Sequence, residues 1–221
     1  MAKLAGKTRD PRRRVEQSEF VEAALRIVER EGLEALSFRR LAAEFDVSAM
    51  SVFRIVRDKE QLLDLLTEAM FRQVQLPPPG GKWTERISAI ARSAAAALGR
   101  YPELAVRALR GPHMYSTATG ARIVNEVLES LLEAGFKPKS AALAFTMTRY
   151  IHLLGLPSAR RKEDADGQPL YMPVYLPPED SALLRVAPFS ATLQSEDHFE
   201  FALEIMILGF EQYLKLQDHI G

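Results

Sequence analysis

Residues 37–63 read SFRRLAAEFDVSAMSVFRIVRDKEQLL, and their spacing decides the fold. Phe38, Leu41, Ala42 and Phe45 stand at i, i+3, i+4 and i+7, the period of one buried helix face, with Ser37 in place to cap it. Asp46 and Val47 break the pattern, and Ser48 opens a second short helix whose Val52 and Val56 share one side. Asp58, with Gln61 three residues on, gives a variant of the capping box for a further helix that carries Leu62, Leu63, Leu65 and Leu66 towards Leu76. Two short helices joined by a tight turn, the second buried along a narrow stripe, form a helix-turn-helix over residues 37–57. Such a helix keeps one face free to reach base edges.

The side chains on that free face define the candidate DNA contacts. Ala49, Met50, Ser51, Phe53, Arg54 and Arg57 belong to the second helix and its end. Arg54 matches the donor pattern that reads guanine, while Ala49, Met50 and Phe53 suit thymine methyl groups. Arg39 and Arg40 open the preceding helix within reach of phosphate or a guanine edge, and Lys59 stands beside outward-pointing N–H groups at a helix start, a phosphate clamp. Spacing alone also accommodates any small helical bundle with a solvated basic face.

Upstream, Phe20, Ala24, Ile27 and Val28 give one apolar face to a first helix, which the spacing starts at Ser18 and stops at Gly32. Residues 1–14 hold Lys3, Lys7, Arg9, Arg12, Arg13 and Arg14 against Asp10, six cations minus one anion or +5. This basic arm reads equally as a solubilising tail or as a nucleic-acid contact. The chain as a whole is neutral, with 29 Lys and Arg against 29 Asp and Glu. Charge asymmetry, not the sum, therefore carries the signal.

Downstream, Pro77-Pro78-Pro79-Gly80-Gly81 ends the helical run and marks a domain boundary. The chain thus divides into an arm (1–14), a helix-turn-helix domain (15–76) and a larger domain (83–221), all-α throughout. In the larger domain Trp83, Ile87, Ile90, Ala91, Ala94 and Leu98 mark one helix, and Pro102 stands in the first turn of the next. Ile123, Val127, Leu131 and Ala134 mark another, closed by Gly135. Leu143, Met147, Tyr150, Ile151 and Leu154 are the expected core face of a fourth, with Phe145, Arg149 and His152 opposite. Residues 162–194 read as a long loop, rich in proline. The last helix, from Ser195 to about Leu216, is apolar nearly all round. Phe199, Leu203, Met206, Phe210 and Tyr213 form one stripe, and Phe201, Ile205 and Leu208 a second. A helix of this kind needs cover on more than one side, which a bundle and a second copy together supply. These eight residues are the candidate dimer interface.

Two pocket readings follow. Arg149 would face an anionic or carbonyl group, with Phe145 and His152 on the same row; the same row equally reads as a surface or interface. His113, Met114 and Tyr115 follow Gly111-Pro112 on an expected loop, and Tyr171, Met172 and Tyr175 in the long loop would close over a ligand or pack it down. Enzymatic chemistry finds no support: four scattered histidines, no cysteine, no nucleophile elbow and no glycine-rich phosphate loop. No cofactor or metal is expected. The start is basic without a following apolar stretch, and Phe201 to Phe210 falls short of the ~20 residues needed to span a bilayer. A soluble, cytoplasmic protein with no membrane partner is expected.

Ser37-Phe38-Arg39-Arg40-Leu41-Ala42, Val47-Ser48, Val52-Phe53-Arg54 and Asp58-Lys59-Glu60-Gln61-Leu62-Leu63, preceded by the run from Ala23 to Leu33, resemble the N-terminal domain of TetR-family regulators over residues 15–75. The resemblance implies a homodimer on a near-palindromic double-stranded DNA operator, repression, and release by a small-molecule effector of unknown identity. It also places dimerisation on the last helices. Two departures stand out: the family usually has Tyr and, two residues on, His where this chain has Phe53 and Ile55. An alternative is therefore a dimeric small-molecule-binding protein whose DNA binding has weakened or disappeared. Trp83, Arg100-Tyr101 and Leu131-Leu132-Glu133-Ala134-Gly135-Phe136 resemble, more weakly, the tetracycline-repressor C-terminal domain. The metal-binding His of such repressors aligns near Ala108 and has no counterpart, which argues against tetracycline as the ligand. If the basic arm substitutes for the missing phosphate contacts, deleting residues 1–14 will raise the operator Kd and flatten its salt dependence, by a slope of roughly 0.9 for each phosphate no longer neutralised; fluorescence anisotropy from low to high salt checks both.

Overall fold

A computed structural model describes residues 16–157, 181–190 and 192–220, and among them every regular element is helical. The chain packs as two units that divide between Leu62 and Leu63.

The first unit holds α1 (Gln17–Glu31), a 3₁₀ turn (Leu33–Ala35), α2 (Phe38–Glu44), α3 (Ala49–Val52) and the start of α4 (Lys59–Phe71). Helix α1 begins one residue before Ser18. Glu16 is its cap in a capping box: the Glu16 side chain accepts from the Glu19 N–H, the role that spacing gave to the serine hydroxyl, and the Glu16 N–H donates to Glu19 Oε2 at 3.2 Å. Gly32 ends α1 with φ of 86°, a backbone shape that a side chain would strain. Ser37 caps α2 as expected, its Oγ accepting from Arg40 N at 3.1 Å. Phe20, Leu41 and Val52 are fully buried, and the Phe20 ring stacks on Phe45 at 4.5 Å. The start of α4 is capped by Asp58, whose Oδ1 accepts from Gln61 N at 2.8 Å, while Gln61 Oε1 accepts from Arg57 N at 2.7 Å.

The second unit contains the rest of α4 with α5 (Trp83–Gly99), α6 (Pro102–Arg110), α7 (His113–Ser116), α8 (Ala118–Glu133), α9 (Pro138–Gly155), α10 (Ala182–Ser190) and α11 (Ser195–Ile220). Its core is the side-by-side packing of α5, α8, α9 and α11. Arg86 of α5 is buried and bridges two carboxylates of α8, Glu126 at 2.5 Å and Glu133 at 2.6 Å. These hydrogen bonds raise its pKa, and the guanidinium stays charged. Thr117 caps α8 by accepting from Gly120 N at 3.1 Å.

Four expectations change. Residues 113–116 are a one-turn helix, not a loop, and residues 182–190 are helical despite Pro188, with Ser181 Oγ accepting from Leu184 N at the start. The prolines of this region drew the reading towards loop, but Pro188 lies near the helix end and interrupts little of it. Tyr171, Met172 and Tyr175 lie outside the described residues, as does the basic arm.

The third change concerns α9. Leu143 (61% exposed), Met147, Tyr150 and Leu154 face outward, whereas Ala141, Ala144, Phe145, Thr148 and His152 are buried. The core takes the face with small residues because they let neighbouring helices approach closely. Its polar members arrive satisfied: Thr148 Oγ1 donates to Ala144 O at 3.0 Å. The fourth concerns α11. Phe199, Leu203, Met206 and Phe210 are buried inside their own chain, which removes them from the candidate interface. Phe201 (67% exposed), Ile205, Leu208 and Tyr213 remain uncovered.

Gly120, in the first turn of α8, lies close against the backbone of α7. A Cβ there would collide with the Met114 carbonyl oxygen and the Thr117 hydroxyl. Gly120→Ala is expected to lower unfolding stability by about 1–3 kcal/mol, the usual range for overpacking, measurable as a shift of the urea midpoint at unchanged m-value.

Candidate nucleic-acid interface and core cavity

In the first unit, α3 is a single helical turn followed by hydrogen-bonded turns in which Val56 N donates to Val52 O at 3.0 Å. Val52 and Val56 are buried, as their spacing predicts, and α3 packs on α2. Ala49, Met50, Phe53, Arg54, Arg57 and Lys59 are exposed and Ser51 is half-buried, so the structure brings the expected reading residues to one exposed segment. Met50 is 73% exposed. Ser51 is turned back to Ser48, the two hydroxyls 3.0 Å apart, and Phe53 leans edge-on against Phe38 at 4.7 Å. Ile55, half-buried, belongs to the support: its carbonyl accepts from Gln17 Nε2 at 3.4 Å.

Arg39 and Arg40, adjacent in sequence, part company. Arg39 is exposed. Arg40 is held by Glu31 and Glu44, each at 2.6 Å, and ties α1 to α2. The Arg40 hydrogen bond keeps the Glu31 carboxyl below its usual pKa, and the same two carboxylates raise that of Arg40. Its guanidinium is thus a fastening of the reading head. Sequence spacing missed this because the acid partners lie nine residues back and four ahead.

In the second unit, a small cavity of about 30 Å³ lies among α4, α5, α6, α7, α8 and α9. Its volume admits one or two water molecules. Phe71, Leu109, Met114, Ile123, Val127 and Phe145 supply most of its wall, and Arg149 and His152 supply its charged and polar edge. Three of the expected ligand residues, Phe145, Arg149 and His152, therefore meet at one cavity. His113 does not line it; its Nδ1 lies 3.6 Å from Asp64 Oδ1. Tyr171 lies outside the described residues. Met114, which the cavity adds, is reachable from sequence only through its place in α7.

His152 sits with Nδ1 at 2.8 Å from Thr148 O and Nε2 at 3.1 Å from Ala91 O. Burial lowers its pKa, and the carbonyl contacts oppose that shift without cancelling it. Helix α4 is gripped nearby. Asp64 Oδ1 lies 3.4 Å from Arg107 Nη2, and Glu68 accepts from Thr119 N at 3.0 Å and from its hydroxyl at 2.6 Å. Burial works against the charged form of Glu68, yet the two Thr119 bonds and Arg72 hold its carboxyl below the ordinary range.

Residues 76–214 match the family model for the tetracycline repressor-like C-terminal domain, well over half of the chain. The chain belongs to the TetR family of transcriptional regulators. Among relatives of this TetR-family chain, the HTH-type transcriptional repressor DrrR1 of Streptomyces coeruleorubidus is 38% identical over 99 residues, 44% of this chain and 37% of that protein. A second, from Saccharopolyspora erythraea, is similarly partial, so the chain spans about two fifths of the length of these two relatives. The class G tetracycline repressor of Vibrio anguillarum is 26% identical over 204 residues, 90% of this chain and 95% of that one. ActR of Streptomyces coelicolor, solved in complex with actinorhodin, superposes with a TM-score of 0.71 at 27% identity, covering 91% of this chain and 99% of that chain.

A buried His with a lowered pKa gives a pH signature whose sign is fixed. Above the unfolded value of about 6.5 both states are neutral there. Below it the unfolded chain takes up a proton that the folded chain refuses, so stability falls as pH drops. Urea unfolding of the wild type between pH 7.5 and 5 is expected to show this loss, and His152→Gln to show a shallower one.

Proposed function

We propose that this protein is a DNA-binding, effector-responsive repressor that acts as a homodimer. The observation that carries the reading is the exposed segment Ala49–Lys59: a one-turn helix anchored by Val52 and Val56, with Met50, Phe53 and Arg54 outward and Arg39, Arg57 and Lys59 as exposed cations. Apolar side chains near the helix start suit thymine methyl groups, Arg54 suits guanine, and the remaining cations suit phosphate. Phe53 and Ile55 remove two polar contacts usual for the family, which lowers affinity without abolishing it. No catalytic role is proposed.

The dimer face is drawn from α9 and α11. Leu143, Met147 and Ile151 with Ile205, Gly209 and Tyr213 line an apolar groove of about 600 Å³. An uncovered apolar surface of this kind marks an association site, and a second copy of the same two helices presents the complementary face. Four of the eight residues expected at this seam are spent in the chain's own core; Phe201, Ile205, Leu208 and Tyr213 remain for it, joined by the outer row of α9.

The cavity is the effector chamber. Its wall includes Leu109 of α6 and Met114 of α7, and these helices hold α4 through Arg107, His113 and Asp64. An effector larger than the present cavity displaces that wall, and α4, which continues without interruption to Lys59, carries the shift along the chain. Effector binding then favours a half-site spacing other than the roughly 34 Å of one DNA turn. On duplexes from the DNA flanking its own gene, the wild type is expected to give a sequence-specific shift. Arg54→Ala is expected to weaken it by about 1–3 kcal/mol, 5- to 150-fold, and to relax specificity at one position. Equal affinity for operator and random duplex would support the reading in which specific DNA binding has disappeared.

A further inference from the structure

We propose that the effector is an apolar molecule bearing one anionic oxygen group, such as a carboxylate, sulfonate or phenolate, that accepts a hydrogen bond from Arg149 in the wall of the core cavity. The inference rests on the effector-chamber reading given above. It follows from counting which polar atoms at that wall already have partners.

Thr148 donates its hydroxyl to Ala144 O. Both ring nitrogens of His152 are directed at backbone carbonyls. Neither residue has a donor left to offer. Arg149 differs. Its Nη2 donates to Tyr150 Oη at 3.2 Å, with the guanidinium carbon 4.8 Å from the centre of the Tyr150 ring, but its Nε is buried without a hydrogen-bond partner. A buried donor left unmade is costly, more so on a charged group. Among the described lining residues there is no carboxylate to answer it. The side chain thus has its outer nitrogen on an exposed tyrosine and its inner one, the buried Nε, without a partner, on a residue that lines the cavity. An anionic oxygen entering the cavity would complete the inner bond, and a charge-assisted bond away from water is among the stronger ones. The remaining wall selects an apolar body. Room for it comes from Met114, an unbranched side chain with three rotatable bonds, held on the single turn of α7.

Two fluorescent probes with the same aromatic frame test the proposal on the full-length chain: 8-anilinonaphthalene-1-sulfonate, which is anionic, and N-phenyl-1-naphthylamine, which is not. The wild type is expected to bind the sulfonate roughly tenfold or more tighter. Arg149→Met removes that preference while leaving the neutral probe unchanged, and Met114→Ala tightens both probes by enlarging the site. Circular dichroism reports folding; if Met at 149 disturbs packing, Arg149→Gln keeps the polarity without the charge and is expected to show the same loss. Equal affinity for the two probes in the wild type, or a preference that survives Arg149→Gln, overturns the anion inference and leaves the chamber standing provided Met114→Ala still tightens both. If Met114→Ala moves neither probe, the cavity is not the site, and the chamber reading fails with the inference.

Discussion

The constraint on which the second unit depends is that α9 and α11 each carry two usable faces and a single chain can cover only one. On α11 the stripe Phe199, Leu203, Met206 and Phe210 is spent internally, leaving Phe201, Ile205 and Leu208 bare. On α9 the choice is less obvious. The chain buries Ala141, Ala144, Phe145, Thr148 and His152 and leaves Leu143, Met147, Tyr150 and Leu154 outside. The more apolar face is thereby left uncovered by the chain itself. The smaller, partly polar face is turned towards the core, where its Arg149 and His152 border the cavity. One helix positions both the proposed seam and the proposed effector wall, which accounts for its apparent excess of hydrophobic residues.

This arrangement explains where sequence reasoning succeeded and where it failed. In the first unit each helix has one apolar face and one polar one, so period and burial agree: Phe20, Leu41, Ala42, Val52 and Val56 fall inside as their spacing requires. On α9 the same logic puts the richer face in the core, whereas the chain buries the other one, because hydrophobicity alone does not say which face the chain's own helices cover. Phe145, Arg149 and His152 share one row in the sequence, but only the packing of the helices around it shows that the row borders a cavity. Arg40 shows the limit in the other direction. A cation beside Arg39 in an exposed helix reads as a DNA contact until its carboxylate partners are located in space.

The proposed switch needs nothing exotic. A cavity of about 30 Å³ is too small for an effector, and Met114, on one helical turn, is part of its wall. The elements that must move to enlarge it, α6 and α7, hold Asp64, while Glu68 is fixed to Thr119 at the start of α8. Their displacement is coupled to α4 by these polar contacts as well as by packing. Such coupling is reciprocal: an effector that weakens DNA binding is itself bound less tightly by the DNA complex.

The central claim is that the bare faces of α9 and α11 pair two chains into one DNA-reading unit. Sedimentation of the full-length chain, alone and with an operator duplex, tests it most directly. Pairing through these faces gives twice the 24.8 kDa chain mass in free solution, two chains per duplex, and a folded single-chain species without operator affinity for Ile205→Asp. A wild type that sediments as one chain at micromolar concentration, or an Ile205→Asp protein that still assembles two to a duplex, contradicts it.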